Sequence, residues 1–421
     1  MNFYYFIIFI IPTFVLSQTN WEVYNSENSP LPYNQVNDLS LDLENNLVIG
    51  TEYGAAKLTN NQTWDVFFDE GEGIGLSSNI IKYIDTDLNN NIWACSPDGI
   101  SIIHTDYTYS YLNMNNTDLP SNFTKSLFFE NENRTWIGTT SGLILIEDEN
   151  WNVFDFLGLT NITSNHITKI IKHPTNETIF FGTLNGGIVT YNNEFTFFNN
   201  NNSQLLDNTI RDLHFDENEN LIMTTTFAGL GVWTNTSSWV WFNSQTNPSL
   251  PFFINSLGDL IIDNSNNIWL TTIESGLIKY SNNNWTFYNS ENSSLPENEI
   301  NCITYDNINN QLWIGMQNSG IASINLNSIT ISESTLNNLL NIKNRNFQTN
   351  LLIESKGNIS IEIINYYGAV VKKIPFREYR PPMGNLLSLV QDWLCASTLT
   401  TALTTEGVVP SGNTLVLSKA V

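Results

Sequence analysis

Residues 21–34 read WEVYNSENSPLPYN, and residues 285–298 read WTFYNSENSSLPEN. Aligned on the aromatic start and the later Leu-Pro or Asn-x-Ile, the phrase defines units beginning at Trp21, Trp64, Tyr109, Trp151, Phe195, Trp239 and Trp285. Their spacing, roughly 42–46 residues, falls in the range of propeller-type repeats. Each unit continues in the same way, with an alternating apolar stretch (VNDLSLD, INCITYD) and an Asx-rich turn (LENN, NINN). A second strand follows (NIWAC, RTWIGT, QLWIGM), then a turn ending in glycine and a third strand (GLILI, GLIKY). Period-two alternation rich in β-branched and aromatic residues, broken every few residues by turns, is the pattern of short strands. Four such strands in each of seven units predict an all-β chain folded as a seven-bladed β-propeller.

The two copies of the phrase then acquire different roles. The aromatic stretch reads as the outermost strand of a blade, ahead of the crossing to the next. After Trp285 the sequence supplies three strands, at about 299–305, 311–316 and 320–326, and the pattern stops without an outer one. The stretch from Trp21 is an outer strand with no blade before it. The reading therefore predicts a propeller closed by its N-terminal strand, which covers an edge otherwise open to pairing with other chains.

Gly54, Gly99, Gly142, Gly186, Gly229, Gly276 and Gly320 are expected at the second hairpin of each unit, where positive φ is needed. Trp93, Trp136, Trp269 and Trp313 recur on the second strand, with Phe180 and Met223 in that place in two units. Packing between adjacent blades explains this set better than ligand stacking, because one sugar platform would not need the same aromatic in most blades.

The stretches INCITYDNINNQLWIGMQNSGI (300–321) and TKSLFFENENRTWIGTTSGL (124–143) resemble the two-component regulator propeller repeat, approximately I-x-x-I-x-x-D-x-x-G-x-[IL]-W-[IV]-G-T-x-x-G-[IL]. The resemblance covers about residues 21–326, with degraded copies at NLIMTTTFAG and IKHPTNETIFFGTLNG. It implies a role like that of the periplasmic sensor regions of hybrid histidine kinases, whose typical ligands are glycan fragments. The chain departs from those sensors in showing no transmembrane helix, no kinase and only seven units. Further on, LLIESKGNISIEIINYYGAVVKKIPF (351–376) resembles the front half of a type A sorting domain of the type IX secretion system. That resemblance implies a small, partial β-sandwich after the propeller and the type IX machinery as a partner. The Pro-Asn-Pro and the closing Gly-x-Tyr strands of such domains are missing.

The domain boundaries expected are thus 1–17, 18–326, 327–376 and 377–421. The first, MNFYYFIIFIIPTFVLS, reads as a secretory signal cleaved after Ser17; the run is shorter than the ~20 residues a spanning helix needs. No membrane anchor is expected elsewhere, and the localisation expected is secreted or cell-surface. In the last segment Ile disappears and Leu, Thr, Ala and Val take over, which reads as a disordered or out-of-frame tail.

Acidic residues outnumber basic ones 41 to 16, a net charge of −25, so nucleic acid and anionic lipid are poor partners. Three cysteines, Cys95, Cys302 and Cys395, are too few for a disulfide scaffold. The four histidines, His104, His166, His173 and His214, lie in different units without metal-ligand spacing, and DTDLNNN from Asp85 lacks the Gly and Glu of a calcium loop. We therefore expect no metal and no cofactor, and there is no nucleophile motif or phosphate-binding glycine loop.

What remains is a binding face. The second-hairpin tips vary while their flanks repeat: TEYG, SPDG, TTSG, TLNG, TFAG, IESG and QNSG. Glu52, Tyr53, Asp98, Asn185, Phe227, Glu274 and Gln317 are the expected rim contacts, although neutral turn positions would vary in the same way. The function expected is a monomeric, non-catalytic module binding glycan or protein. The alternatives are a polysaccharide hydrolase or lyase on a propeller scaffold, which a carboxylate cluster at one end of the channel would favour, and a detached sensor domain of a two-component system.

Overall fold

A computed structural model describes residues 21–71, 74–157 and 164–326, and the strand backbones 359–365, 370–375 and 413–419. Seven four-stranded antiparallel sheets occupy residues 22–325. Blade 1 runs from its inner strand Val36–Leu41 through Leu47–Thr51 and Gly54–Leu58 to its outer strand Trp64–Phe67. The inner strands of blades 2 to 6 are Tyr83–Thr86, Thr124–Asn131, Ile167–Lys172, Ile210–Phe215 and Leu257–Ile262. Blade 7 consists of Ile300–Asp306, Gln311–Met316 and Ile321–Asn325, with Glu22–Tyr24 as its outer strand. Glu22 pairs with Ser323, Val23 with Ala322 and Tyr24 with Ile321, so the N-terminal strand closes the ring as expected.

The second strands form the middle of the core. Trp313 of blade 7 clusters with Leu39, Ile49 and Ala56 of blade 1, and Trp136 of blade 3 with Ile170, Phe181 and Val189 of blade 4. Trp93 and Phe180 span two further junctions in the same way, so these four rings pack blades together, whereas Trp269 packs on Tyr288 and Lys279 of its own blade. Each fully buried aromatic contributes about 2–3 kcal/mol.

The Asx-rich turns are held by their own side chains. Asp87 accepts the N–H groups of Asn89 and Asn91 (both 2.9 Å) and the Trp93 indole N–H (3.0 Å). DTDLNNN is therefore a hairpin turn. Among the described residues no group of His, Cys, Asp or Glu could hold a metal ion. Cys95 and Cys302 are buried and unbridged.

At the second hairpins the expected glycines have positive φ in six blades, from +81° to +152°. In blade 4 the residue is Gly187 (φ +83°) and not Gly186. Blades 1 to 3 join strands by two residues, with Thr51 paired to Gly54, whereas blades 4 to 7 insert one more, which shifts the glycine along TLNGG. In both forms the residue opening the turn, such as Thr51 or Thr183, donates its hydroxyl to the glycine carbonyl (2.7 and 2.8 Å). A two-strand ribbon, Asp69–Gly71 with Ile74–Gly75, sits in the crossing from blade 1 to blade 2; the sequence reading did not anticipate it.

The chain divides into two units, one of them residues 19–328. In the other, Ile359–Asn365 pairs with Val370–Pro375 on one side and Asn413–Lys419 on the other, a three-stranded antiparallel sheet. The signal segment 1–17, Cys395 and the rest of the expected sorting domain and tail lie outside the described residues.

Candidate binding face at the channel mouth

The second hairpin of a blade and the start of its inner strand lie at the same end, because the second strand runs antiparallel to the first: Val36 pairs with Thr51 and Ile300 with Met316. All seven hairpin tips therefore share one face with the mouth of the central channel.

The seven expected rim residues divide by position. Glu52 and Gln317 reach the inner strands: Glu52 pairs with Lys82 and accepts from Asn37 Nδ2 (3.0 Å), and Gln317 Oε1 accepts from Asn301 Nδ2 (3.0 Å). Burial raises the Glu52 carboxyl, but the Lys82 and Asn37 bonds outweigh it and hold it below the usual range. Asn185 Oδ1 accepts from the Thr209 hydroxyl (2.7 Å), which ties that tip to the loop entering blade 5. Tyr53 (55% exposed) leans on Phe68 with ring centroids 5.9 Å apart, and Phe227 (76% exposed) stands in solvent. Asp98 and Glu274 are exposed at their tips.

The inner strands carry a feature that the sequence reading missed. Aligned on register, their third positions are Asp38, Tyr83, Ser126, Lys169, Asp212, Asp259 and Cys302. Most of these side chains satisfy a backbone N–H of the next blade. Asp38 accepts from Ile84 (2.8 Å), Ser126 from Ile170 (2.9 Å) and Asp212 from Leu260 (2.9 Å). Tyr83 meets Leu127 and Asp259 meets Ile303 in the same sense. Lysine has no acceptor to offer, and Lys169 instead bonds Asp212 at 3.0 Å.

This ring is electrostatically tense. Burial first, and then neighbouring carboxylates, push Asp38 well up and Asp259 up to about 7. Burial opposes the Lys169 charge, but Asp212, Asp259 and Asp38 outweigh it and hold the ammonium above its ordinary range. The Asp in I-x-x-I-x-x-D marks the turn; these inner carboxylates sit in its variable positions, so the repeat pattern gave no signal for them.

One position nearer the mouth, the side chains are Asn37, Lys82, Lys125, Thr168, Arg211, Gly258 and Asn301, with no carboxylate among them. In six blades this position falls at a register shift between the first two strands. Such bulges turn a side chain out of the ladder. Asn37, Thr168 and Asn301 donate to the carbonyls of Ile81, Ile210 and Val36, one blade on (2.7–2.9 Å).

No family model matches the chain, and no curated protein matches it. Solved structures do. The extracellular domain of the hybrid two-component system BT3049 from B. thetaiotaomicron aligns with a TM-score of 0.60 and 17% identity, over 72% of this chain and 41% of that one. PorZ, a surface component of the type-IX secretion system of Porphyromonas gingivalis, aligns at 0.57 and 15%, over 82% and 54%. YCF48 from Cyanidioschyzon merolae aligns at 0.53 and 11%, over 74% and 99%. The chain thus spans about half the length of the bacterial structures. At these identities the likeness establishes the propeller fold, shared with extracellular domains of two-component systems and with a surface secretion component. Among the described residues no helix is long and apolar enough to cross a membrane.

Proposed function

We propose that the chain is an exported, cell-surface or secreted propeller that binds a glycan or a protein at its channel-mouth face and has no catalytic activity of its own. One observation carries this reading. Seven hairpin tips of differing chemistry, with exposed Tyr53, Phe227 and Ile273 among them, stand on one face above a repeated scaffold. Solvent-exposed rings beside hydrogen-bonding side chains suit sugar stacking or an apolar anchor. The experiment is a glycan array probed with the protein and with its Phe227→Ala variant, run beside a reducing-sugar release assay. Retention on the array that the variant loses, with no sugar release, is the expected result. Release of sugar would replace the reading.

A specific observation favours the enzymatic alternative: burial, and then the neighbouring Asp212, push Asp259 up to about 7, a value suited to a general acid, beside a second carboxylate that Lys169 bonds. Their register argues the other way. Both occupy the position where Ser126 and Tyr83 do the same inter-blade bonding in blades that carry no acid there. Delivery through a type IX pathway is the part of the proposal resting on 351–376. A reporter fused to residues 327–421 reaches the surface of a type IX-competent cell and stays inside a deficient one.

A further inference from the structure

Eight Lys and Arg lie between residues 21 and 326, against a net charge of −25 for the chain. Six of them have partners. Lys57 pairs with Asp42, Lys82 with Glu52, Arg134 and Lys172 with Glu130, Lys169 with Asp212, and Lys279 lies 5.0 Å from the Trp269 ring centroid. Lys125 and Arg211 alone have no ion pair, hydrogen bond or ring contact among the described residues. Both occupy the bulge position at the start of an inner strand, and Lys82 stands at the equivalent place in blade 2. Burial, and then Lys82 and Arg211, push the Lys125 ammonium down; burial, Lys125 and Arg211 do the same to His166. The three cations therefore converge on the mouth across blades 2 to 5. Lys82 is paired with Glu52, and Asp38 and Asp259 act on Lys125 and Arg211 only through the field, with no carboxylate among the described residues bonded to either.

We infer that Lys82, Lys125 and Arg211 form an oxyanion-binding crown at the channel mouth, which seats the carboxylate, sulfate or phosphate of a saccharide. The inference rests on the binding-face reading and names the ligand's chemistry. Arg211 offers a planar fork of donors and Lys125 an unpaired point charge, the combination that recognises an oxyanion, while Lys82 stands beside them bonded to Glu52. Asn37, Thr168 and Asn301 complete the ring without adding negative charge, their side chains engaged with neighbouring carbonyls. Phe227 projects from the hairpin of the blade that carries Arg211, so a sugar ring can rest on an apolar face while its charged group enters the crown. The surrounding field selects against polyanions: the net charge of −25 repels them at range, whereas one oxyanion feels the crown within a Debye length of about 8 Å.

The test uses calorimetric titration of the full chain with trigalacturonate, its methyl ester, sulfated and phosphorylated galactose, inorganic sulfate, and a hexaglutamate peptide. At least one sugar acid binds, and neither the methyl ester nor the inorganic ion matches it. Arg211→Gln and Lys125→Met each weaken that binding about tenfold while the melting temperature holds. Raising salt from 20 to 500 mM weakens it by a similar factor. Silence from every anion overturns the crown, and equal binding of inorganic sulfate removes the saccharide from it. Binding of hexaglutamate alone makes the occupant an acidic peptide. Loss of all anion binding with neutral glycans still retained on the array overturns this inference and leaves the binding-face reading standing.

Discussion

The ring centroids of Tyr24 and Trp313 lie 6.1 Å apart, joining the start of the described chain to the last blade of the propeller. Tyr24 also stands 5.9 Å from Trp64 of blade 1, and its hydroxyl donates to Gln62 Oε1 at 3.0 Å. The closing strand pairs only three residues, so its attachment depends on this wedge between blades 7 and 1 as much as on its ladder. Tyr24→Ala is expected to cost about 2–3 kcal/mol, below the roughly 3–5 kcal/mol of truncating a fully buried aromatic and leaving a cavity, because Tyr24 is half-buried. Tyr24→Phe, losing one exposed hydrogen bond, costs under about 1 kcal/mol. Deleting residues 18–33 lowers the stability of all seven blades together. Urea unfolding followed by tryptophan fluorescence measures all three, and a deletion that melts like the full chain removes closure from the account.

A second prediction separates two adjacent glycines. A Cβ built on Gly187 would stand 2.1 Å from the Phe198 carbonyl oxygen, at a φ of +83° that side chains rarely adopt. Gly187→Ala is therefore expected to destabilise by more than about 1 kcal/mol, from strain and from the clash with backbone. Gly186, which the repeat alignment favoured, lies outside the positive-φ set, and Gly186→Ala costs less. Thermal melting of the two variants side by side decides between the alignments.

That one-residue discrepancy shows what the sequence made legible. Strand period, turn glycines and the Trp of the second strand recur because every blade must solve the same packing problem, so the alignment read them off directly. The tip glycine of blade 4 was misplaced because TLNGG offers two glycines and only the pairing of Gly182 with Ile188 says which one turns. The inner-strand residues Asp38, Lys169, Asp212 and Asp259 were invisible for the opposite reason. They differ from blade to blade, and their meaning depends on facing each other across the ring. Lys125 and Arg211 are illegible for the same reason, because whether a cation has a partner depends on which side chains the fold brings beside it.

The turn carboxylates carry more than turn geometry. Asp263, 6% exposed, accepts from the Trp269 indole (2.9 Å), from the Asn267 side chain (2.8 Å) and from the N–H groups of Ser265 and Asn267 (2.9 Å each). Asp263→Ala leaves several buried donors unpaired and is expected to cost about 3 kcal/mol. Asp263→Asn keeps one acceptor oxygen and loses less. Quenching of Trp269 fluorescence in the native state of the two variants, alongside their urea midpoints, reports whether the indole has lost its partner.

The inner ring makes stability depend on pH in a direction opposite to ordinary acid denaturation. The Asp259 carboxyl is pushed up to about 7 from an ordinary 3.8, chiefly by burial and then by Asp212. Between about pH 4 and pH 7 the folded protein thus keeps a proton that the unfolded chain releases. By linkage, this contribution to stability is greatest at the acid end, falls as pH rises through 7, and is constant above. Asp42 and Glu52 have lowered pKa values, so their contributions fade only below about pH 4, outside this window. His166 and His214, held down chiefly by burial, add stability that rises with pH up to about 6.5 and opposes the raised carboxylates. Lys169, whose pKa is raised, contributes stability that is fully present below about pH 10 and lost above it. Asp259→Asn is therefore expected to remove Asp259's share of the fall between pH 5 and 7.5, leaving that of Asp38 and Asp85, and to stabilise the protein at pH 8. Lys169→Met does the reverse. It strands Asp212, Asp259 and Asp38 without their shared cation, at a cost of about 3–5 kcal/mol at pH 8 that shrinks toward pH 5 as Asp259 takes up its proton. Urea midpoints of the parent and both variants at half-unit pH steps give the slopes. A parent profile that rises monotonically from pH 5 to 8, left unchanged by Asp259→Asn, would show that the ring does not set it.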